Sequence, residues 1–313
     1  MTAHRIPQIS LQLRTFTDDP AHDWNSTLAL GQVMDAAGVD RVVVSDHVVF
    51  GENPDAYADP SRGGIAGGRQ PTSPDGQWLE PLITLTALAA TTNRIRLGTA
   101  ILLAALRRPV VLAKQLSTLD VLSGGRVDLG VGVGWQQEEY EAAGLSFAAR
   151  GRLLDHSLEV CTSLWTESRS SYRSTELSFE NIHQMPKPVQ PGGVPIWVSG
   201  TVNKAVARRL ARFGRGWIPW GPAHSDIAGA VATMKDLVAD GGGDAEGLEV
   251  QGHATTVKRP DRSVDIEATM ESVGPLLAAG VTDVRFTVSV PRDPAHAADF
   301  LKDLVGAFHE VSR

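Results

Sequence analysis

The chain holds a single cysteine, Cys161, among 313 residues. One thiol excludes an intrachain disulfide framework and any metal site built from several cysteines, and it fits a reducing compartment, so the cytoplasm is the expected location. Positive charge is in short supply as well. With 29 Lys and Arg against 36 Asp and Glu, the net charge is −7, and no global positive field draws in nucleic acid or an anionic membrane surface. Long apolar runs are missing: the longest uncharged apolar stretch, Pro81 to Asn93, falls well short of the ~20 residues a membrane span requires. The opening Met-Thr-Ala-His-Arg-Ile-Pro has no apolar signal core, so neither a targeting segment nor an anchor is expected. No two of the 9 histidines stand at i, i+4, and Gly-x-Ser-x-Gly and Walker patterns are absent. That removes the helical zinc-protease, nucleophile-elbow and P-loop chemistries, and no metal is expected.

What is present is a composition of 42% hydrophobic and 21% charged residues, the balance of an ordinary globular protein. The order of its elements is informative. Ile6 to Leu13 reads as a strand and Trp24 to Ala37 as a helix closed by Gly38. The β-branched run from Asp40 to Val44 is a buried strand ending at Ser45-Asp46-His47. Glu80-Pro81 opens a helix to about Thr92, with proline in a first-turn position where its missing N–H costs nothing. Strand Arg94 to Leu103, helix Val110 to Leu122 after Pro109, strand Arg126 to Val133, an acidic helical turn at Glu138-Glu139 and helix Arg150 to Trp165 complete the first half. After Pro195-Ile-Trp-Val198 come helix Asn203 to Phe213, strand Trp217 to Trp220, helix Ser225 to Ala239, strand Leu248 to Val257, helix Val264 to Ala279, strand Val281 to Val288 and helix Ala295 to Val311. Repeated strand–helix alternation with short links at glycines such as Gly38, Gly216 and Gly280 predicts a single-domain α/β protein, a closed (β/α)8 TIM barrel spanning 1–313.

Two segments depart from this rhythm. Gly51 to Gln77 is rich in Gly, Pro, Asp and Ser, with Gly63-Gly64 and Gly67-Gly68, and is expected to form a lid. Thr166 to Pro195 is an insertion with a hairpin over Ser170 to Phe179; both segments are expected to shape the substrate pocket.

Active sites of such barrels lie at the C-terminal ends of the strands. Four strand ends are candidates: Ser45-Asp46-His47, Gly98-Thr99-Ala100-Ile101, Gly132-Val133-Gly134-Trp135 and Ser199-Gly200-Thr201. Asp46 beside His47 could fix the imidazole tautomer for acid–base work, although adjacent residues need not face each other; the alternative is a loop histidine and a helix-capping aspartate. The glycines of Gly130-Val-Gly-Val-Gly134 lack dinucleotide-loop spacing and serve close backbone approach, either to a flat ligand or in barrel packing. Trp135 could wall a ring system. Ser199-Gly200-Thr201-Val202-Asn203 leads from a buried strand into a helix, which makes an anion site or a simple N-cap by Ser or Thr. On that helix Lys204, Arg208 and Arg212 read as a solvated basic face opposite Val206, Leu210 and Phe213, with Lys204 close enough to assist a phosphate. Cys161 reads as core packing with Leu154, Leu158 and Trp165, whereas Trp217 and Trp220 could be core or pocket lining.

The runs Val44-Ser-Asp-His-Val-Val-Phe50, Trp78-Leu-Glu-Pro81, Arg94-Ile-Arg-Leu-Gly-Thr99, Pro109-Val-Val-Leu-Ala-Lys-Gln115, Leu119-Asp-Val-Leu-Ser-Gly-Gly-Arg126, Leu129-Gly-Val-Gly-Val-Gly-Trp135 and Pro195-Ile-Trp-Val-Ser-Gly200 together resemble the luciferase-like monooxygenase superfamily. More narrowly, they resemble its actinobacterial branch of oxidoreductases that use the deazaflavin coenzyme F420. The resemblance implies a TIM barrel with an insertion segment and a flavin-like ring in the barrel mouth. It also implies a non-prolyl cis peptide at Ala100-Ile101 behind that ring, in the segment that Thr99 opens. By the same resemblance His47 stands beside the reactive ring carbon, with Asp46 the acidic residue before it. Val133, Gly134 and Trp135 line the ring and ribityl chain, and Ser199, Gly200 and Thr201 form the phosphate-holding turn. Two departures stand out: Trp135 occupies the position of a catalytic glutamate in the sugar-phosphate dehydrogenases of the branch, and Arg215 replaces an aspartate often found before Gly216-Trp217. The implied chemistry is hydride transfer between the deazaflavin and a small organic substrate, with His47 as proton donor or ring-positioning group. The alternatives are an FMN-dependent monooxygenase served by a separate cofactor reductase, and a barrel that binds a cofactor or ligand without turnover. Homodimerisation is implied by the resemblance alone.

Overall fold

The computed structural model describes residues 6–52, 54–62, 64, 68–70, 72–291 and 293–313. Residues 1–5 of the N-terminal segment, together with 53, 63, 65–67 and 71 of the expected lid, lie outside the described residues. Through the first half of the chain run β1 (Gln8–Gln12), β2 (Phe16–Thr17), α1 (Trp24–Ala37), β3 (Arg41–Val44), β4 (Gln77–Trp78), α2 (Pro81–Thr91), β5 (Arg96–Thr99), α3 (Pro109–Ser123), β6 (Val127–Val131), α4 (Gln137–Ala142) and α5 (Arg150–Thr166). The second half adds β7 (Ser170–Arg173), β8 (Ser178–Ile182), β9 (Ile196–Gly200), α6 (Lys204–Phe213), β10 (Gly214–Pro219), α7 (Ile227–Asp240), β11 (Glu249–His253), α8 (Ile266–Met270), α9 (Val273–Ala278), β12 (Asp283–Phe286) and α10 (Pro294–Val311).

Strands β1, β3, β5, β6, β9, β10, β11 and β12 form a closed barrel, each parallel to its neighbours. Closure is visible in β1, which pairs Gln8 with Asp283 on one side and Ser10 with Arg41 on the other. The expected (β/α)8 barrel is therefore the observed architecture. Local chemistry sets the helix ends. Asp23 accepts a hydrogen bond from the Asn25 N–H at the start of α1, and Gly38 ends that helix at φ 94°, a left-handed conformation that favours glycine. Proline opens α2 and α3, and Gly124 closes α3 at φ 69°.

The single helix expected over Val264 to Ala279 is instead two short helices, α8 and α9. Two residues account for the break: the Ser272 hydroxyl donates to the Thr269 carbonyl, and Pro275 has no N–H to continue the ladder. The insertion contains the expected hairpin, β7 paired antiparallel with β8. It connects the end of α5 to the beginning of β9, so it belongs to the N-terminal end of the strands, opposite the mouth. The lid segment joins the end of β3 to α2 and belongs to the mouth; its last residues pair as β4 with β2.

At the N-terminal end of the barrel the interior is charged. The Arg41 guanidinium bonds Asp128 (Nε to Oδ2, 2.9 Å), Asp283 (Nη1 to Oδ2, 2.5 Å) and Gln8 (Nη2 to Oε1, 3.1 Å), and lies 4.6 Å from the Trp197 ring centroid. Arg96 grips Asp128 with two further bonds of 2.6 and 2.7 Å. Asp283 also accepts from the Ser10 hydroxyl and from Gln251 Nε2. Burial alone would raise the Asp128 pKa, but the Arg41 charge and the Arg96 hydrogen bond and charge outweigh it and hold the carboxyl below its ordinary range.

Removing one partner of a buried ion pair leaves its counterpart uncompensated, so Arg41→Ala is expected to lower unfolding free energy by about 3–5 kcal/mol, read from urea titration; a change under about 1 kcal/mol would show the network to be dispensable. Because the folded pKa of Asp128 is depressed, its stabilisation is complete above the unfolded value of about 3.9 and disappears as pH falls through the folded value. Asp128→Asn is accordingly expected to flatten the acid limb of a stability-versus-pH curve; an unchanged limb in that variant would refute the assignment.

Candidate active site

At the opposite end, the C-terminal ends of the strands surround a cavity of ≈ 530 Å³. Among the predicted residues, Asp46, His47, Ala100, Ile101, Val133, Gly134, Trp135, Ser199, Gly200 and Thr201 all line it. Thr99 does not: its hydroxyl is buried and donates to the Gly130 carbonyl at 2.7 Å, tying β5 to β6 beneath the cavity floor. The Ala100–Ile101 peptide bond is cis, and the Ala100 carbonyl accepts from the Ser45 hydroxyl at 3.2 Å.

The two adjacent residues after β3 have separate partners. His47 Nδ1 lies 3.2 Å from Glu139 Oε2, whose other oxygen accepts from the Val48 N–H at 2.7 Å. As a carboxylate Glu139 accepts, so Nδ1 carries the proton, and Nε2 has no hydrogen-bond partner among the described residues. Asp46, expected as a possible partner of His47, instead accepts from the Leu103 N–H at 2.8 Å and from Arg107 at 2.6 and 3.1 Å. Arg107 reaches on to Glu80 at 2.8 Å. Burial disfavours the Arg107 charge, but Asp46 and Glu80 overcome that and raise its pKa. Successive side chains of an extended segment diverge, which sends Asp46 to the segment after β5 and His47 to α4. Glu139 is 1% exposed; the sequence marked it only as part of an acidic helical turn, and no local pattern joins residues 92 positions apart.

Aromatic rings enclose His47. Phe50 is 4.6 Å away between centroids, and Phe16 and Trp135 each make edge contacts at 5.8 Å. Trp135 also meets Tyr57 of the lid at 5.3 Å, and Tyr57 leads to Trp220 at 6.4 Å. Trp220 is therefore pocket lining, whereas Trp217 is fully buried and donates from Nε1 to the Gly200 carbonyl. The glycines before Trp135 serve packing and turn geometry: a Cβ on Gly130 would lie 1.9 Å from the Thr99 carbonyl oxygen, and Gly134 has φ +70°.

Around Ser199-Gly200-Thr201 the cap of α6 is Asn203, which accepts from the Ala205 and Val206 N–H groups, and not Ser199 or Thr201. Asn203 also donates to the Thr201 hydroxyl, and Ser199 has no hydrogen-bond partner for its side chain among the described residues. Lys204 is exposed and absent from the cavity wall. Of the four arginines that line the cavity, Arg69, Arg150, Arg209 and Arg285, the two set on the elements around this turn are Arg150 and Arg209. Arg209 is held by Asp155 at 2.5 Å. Arg150 stacks on Phe147 at 4.0 Å, while its buried Nε lacks a partner. Arg209 escaped sequence analysis because it follows Arg208 on a helix where the exposed and buried arginines differ only by 100° of rotation.

No described residue between 166 and 195 lines this cavity. The insertion reaches instead the opposite end of the barrel, where Gln190 to Pro195 stand with Arg41, Asp128 and Arg215. Arg215 pairs with Glu249 there at 2.6 Å, remote from the mouth. Cys161 is packed in the core, where burial pushes its thiol pKa up. Among the described residues no cluster of His, Cys, Asp and Glu suits a metal ion, and no helix is long and apolar enough to cross a membrane.

Comparisons with known proteins bear on the family and the fold. An uncharacterized protein of Mycobacterium tuberculosis is 37% identical over 166 residues, 53% of this chain and 58% of the relative, so the match spans little more than half of that relative. A protein of Segniliparus rotundus named F420-dependent glucose-6-phosphate dehydrogenase is 34% identical over 186 residues, 58% of this chain and 48% of the relative. A solved structure described as an F420-dependent secondary alcohol dehydrogenase in complex with an F420-acetone adduct superposes with a TM-score of 0.74 at 17% identity, covering 96% of this chain and 99% of that one, which shows the shared fold. A family model, luciferase-like monooxygenase, matches residues 9–304, nearly the whole barrel described above, and the chain belongs to that family.

Proposed function

We propose that this enzyme transfers a hydride between coenzyme F420 and a small organic substrate held in the barrel mouth. The observation that carries the proposal is the His47–Glu139 pair: an imidazole of assigned tautomer, enclosed by aromatic rings, with a free nitrogen in a cavity open to a substrate. The relatives named for F420 support the choice of cofactor.

The residues present fit such a group. A planar ring system needs flat apolar walls beside accessible backbone, which Ile101, Val133, Gly134 and Trp135 provide. A ribityl phosphate needs donors and positive charge, and here the unpartnered Arg150 Nε and the free Ser199 hydroxyl meet the turn before α6. F420, when bound, supplies or accepts the hydride. His47 then donates or removes the accompanying proton through Nε2, with Glu139 holding the ring and stabilising the imidazolium. Phe16, Phe50 and Trp135 exclude water from that proton. Trp135 offers no carboxylate, so the base is His47 itself. Asp46 acts as a positioning residue: by binding Leu103 and Arg107 it holds the segment that carries Ala100 and Ile101 against the end of β3.

The same phosphate and ring surfaces would also accept FMN, which keeps a two-component monooxygenase as the second reading, in accord with the family description. Parallel titrations of the purified protein with F420 and FMN, followed by tryptophan quenching, separate the two. Tighter F420 binding is expected. Tighter FMN binding would transfer the conclusion to the monooxygenase, and binding of neither would remove the cofactor assignment.

With F420 and an accepted substrate, His47→Ala is expected to lower turnover more than tenfold, ~1.4 kcal/mol of barrel-mouth chemistry, with F420 affinity retained; full activity would exclude His47 as proton donor. Glu139→Gln replaces one of two acceptor oxygens with an NH2 group. Its turnover is expected to drop by about tenfold or more at nearly unchanged KM for substrate, and a pure KM effect would assign Glu139 to loop structure alone.

A further inference from the structure

The cavity has a second cationic pole that the cofactor reading does not use. Arg285 on β12 and His253 at the end of β11 both line it. These strands are neighbours, with His253 in register with Arg285. Arg285 makes no ion pair with a carboxylate among the described residues: its one hydrogen bond runs from Nη1 to Gln251 Oε1 at 3.3 Å, and its buried Nε has no partner. The nearest acid along its own strand is Asp283, and it is already engaged by Arg41, the Ser10 hydroxyl and Gln251. Gln251 therefore separates the two, giving its Nε2 to Asp283 and its oxygen to Arg285. His253 likewise has a buried Nε2 without a partner, and its ring lies 4.9 Å from that of His224.

An arginine desolvated without a counter-ion is costly, and its unmet donors define what would offset that cost: an oxyanion. Burial, and after it the Arg285 charge, lowers the pKa of both His253 and His224, while Arg285, with its pKa lowered to about 10 by burial, remains a cation at neutral pH. The pole and His47 are joined by one aromatic wall, Trp135–Tyr57–Trp220, with Tyr57 close enough to feel the Arg285 charge. It is distinct from the phosphate end at Arg150, which is built on β9 and its neighbouring helices, with β10 and β11 between β9 and β12.

We propose that Arg285 and His253 form the anion-recognising subsite of the substrate pocket, and that the substrate is a small organic acid whose carboxylate docks there while its reacting carbon faces His47. Reading the ligand as a substrate rests on the proposed hydride-transfer function, whereas the anion subsite itself does not.

The subsite is tested without cofactor. Isothermal titration of the full chain with benzoate and with benzamide, a neutral analogue of the same shape, is expected to show benzoate binding at least tenfold tighter. Arg285→Gln is expected to abolish that preference while leaving F420 affinity and the thermal midpoint close to those of the unmodified chain, and Arg285→Lys to recover part of it. Equal binding of the two probes by the unmodified chain, or no benzoate binding, would overturn the proposal whatever the variants do. A preference that survives Arg285→Gln and vanishes in Arg150→Gln would place the anion at the phosphate end and overturn it too. Loss of F420 binding in Arg285→Gln, with the fold intact, would assign Arg285 to the cofactor. A benzoate preference that depends on Arg285 in a chain that binds no F420 would uphold the subsite and remove the hydride-transfer reading.

Discussion

The barrel depends on an ionic plug at one end. Arg41 stands where β1, β3, β6 and β12 converge and binds carboxylates or amide groups from three of these strands other than its own. A ring of short parallel strands leaves its end layers open to water unless side chains fill them, and here the filling is charged and mutually satisfied. Each charge has a partner that also serves another strand, so the plug sets register as well as closure. The cavity lined by the strand-end residues lies at the other, C-terminal end.

At that end the chain divides labour between neighbours in sequence. Asp46 and His47 leave β3 in different directions: one secures the segment after β5, the other meets Glu139 of α4. Glu139 has two tasks, orienting the imidazole and capping the Val48 N–H, and nearby Gln136 exchanges bonds with Val49 and Gly51. The start of the lid is thus anchored to the same short helix that orients the histidine. Displacing α4 would therefore move the imidazole and the segment from Val48 to Gly51 together.

Two cationic poles give the cavity a direction. Arg150 and Arg209 flank the turn before α6, and Arg285 stands on β12 beside His253. Arg209 is neutralised by Asp155, while Arg150 and Arg285 each keep an unpartnered buried nitrogen. Between the poles lie the apolar ring surfaces and His47. Such a cavity suits the two anionic ligands proposed above, each held at one pole so that their other ends meet over the aromatic floor.

Much of this was legible along the chain because the signals are local. Hydrophobic periodicity and capping residues such as Asp23, Gly38, Pro81 and Pro109 determined the order of strands and helices, and strand-end position determined which residues reach the mouth. The insertion from 166 to 195 could have been placed away from the site by the same logic, since it follows a helix and precedes a strand. Tertiary structure alone decided the partners: Glu139 rather than Asp46 for His47, Asn203 rather than Ser199 or Thr201 as the cap of α6, Gly130 rather than a ligand for Thr99, and Arg150 with Arg209 rather than Lys204 beside the turn before α6. It also decided that Arg285 lacks a counter-ion. Local sequence sets which face of an element a side chain occupies, but a hydrogen bond or ion pair requires two elements to be docked at a few tenths of an ångström, and that docking is a property of the closed barrel as a whole.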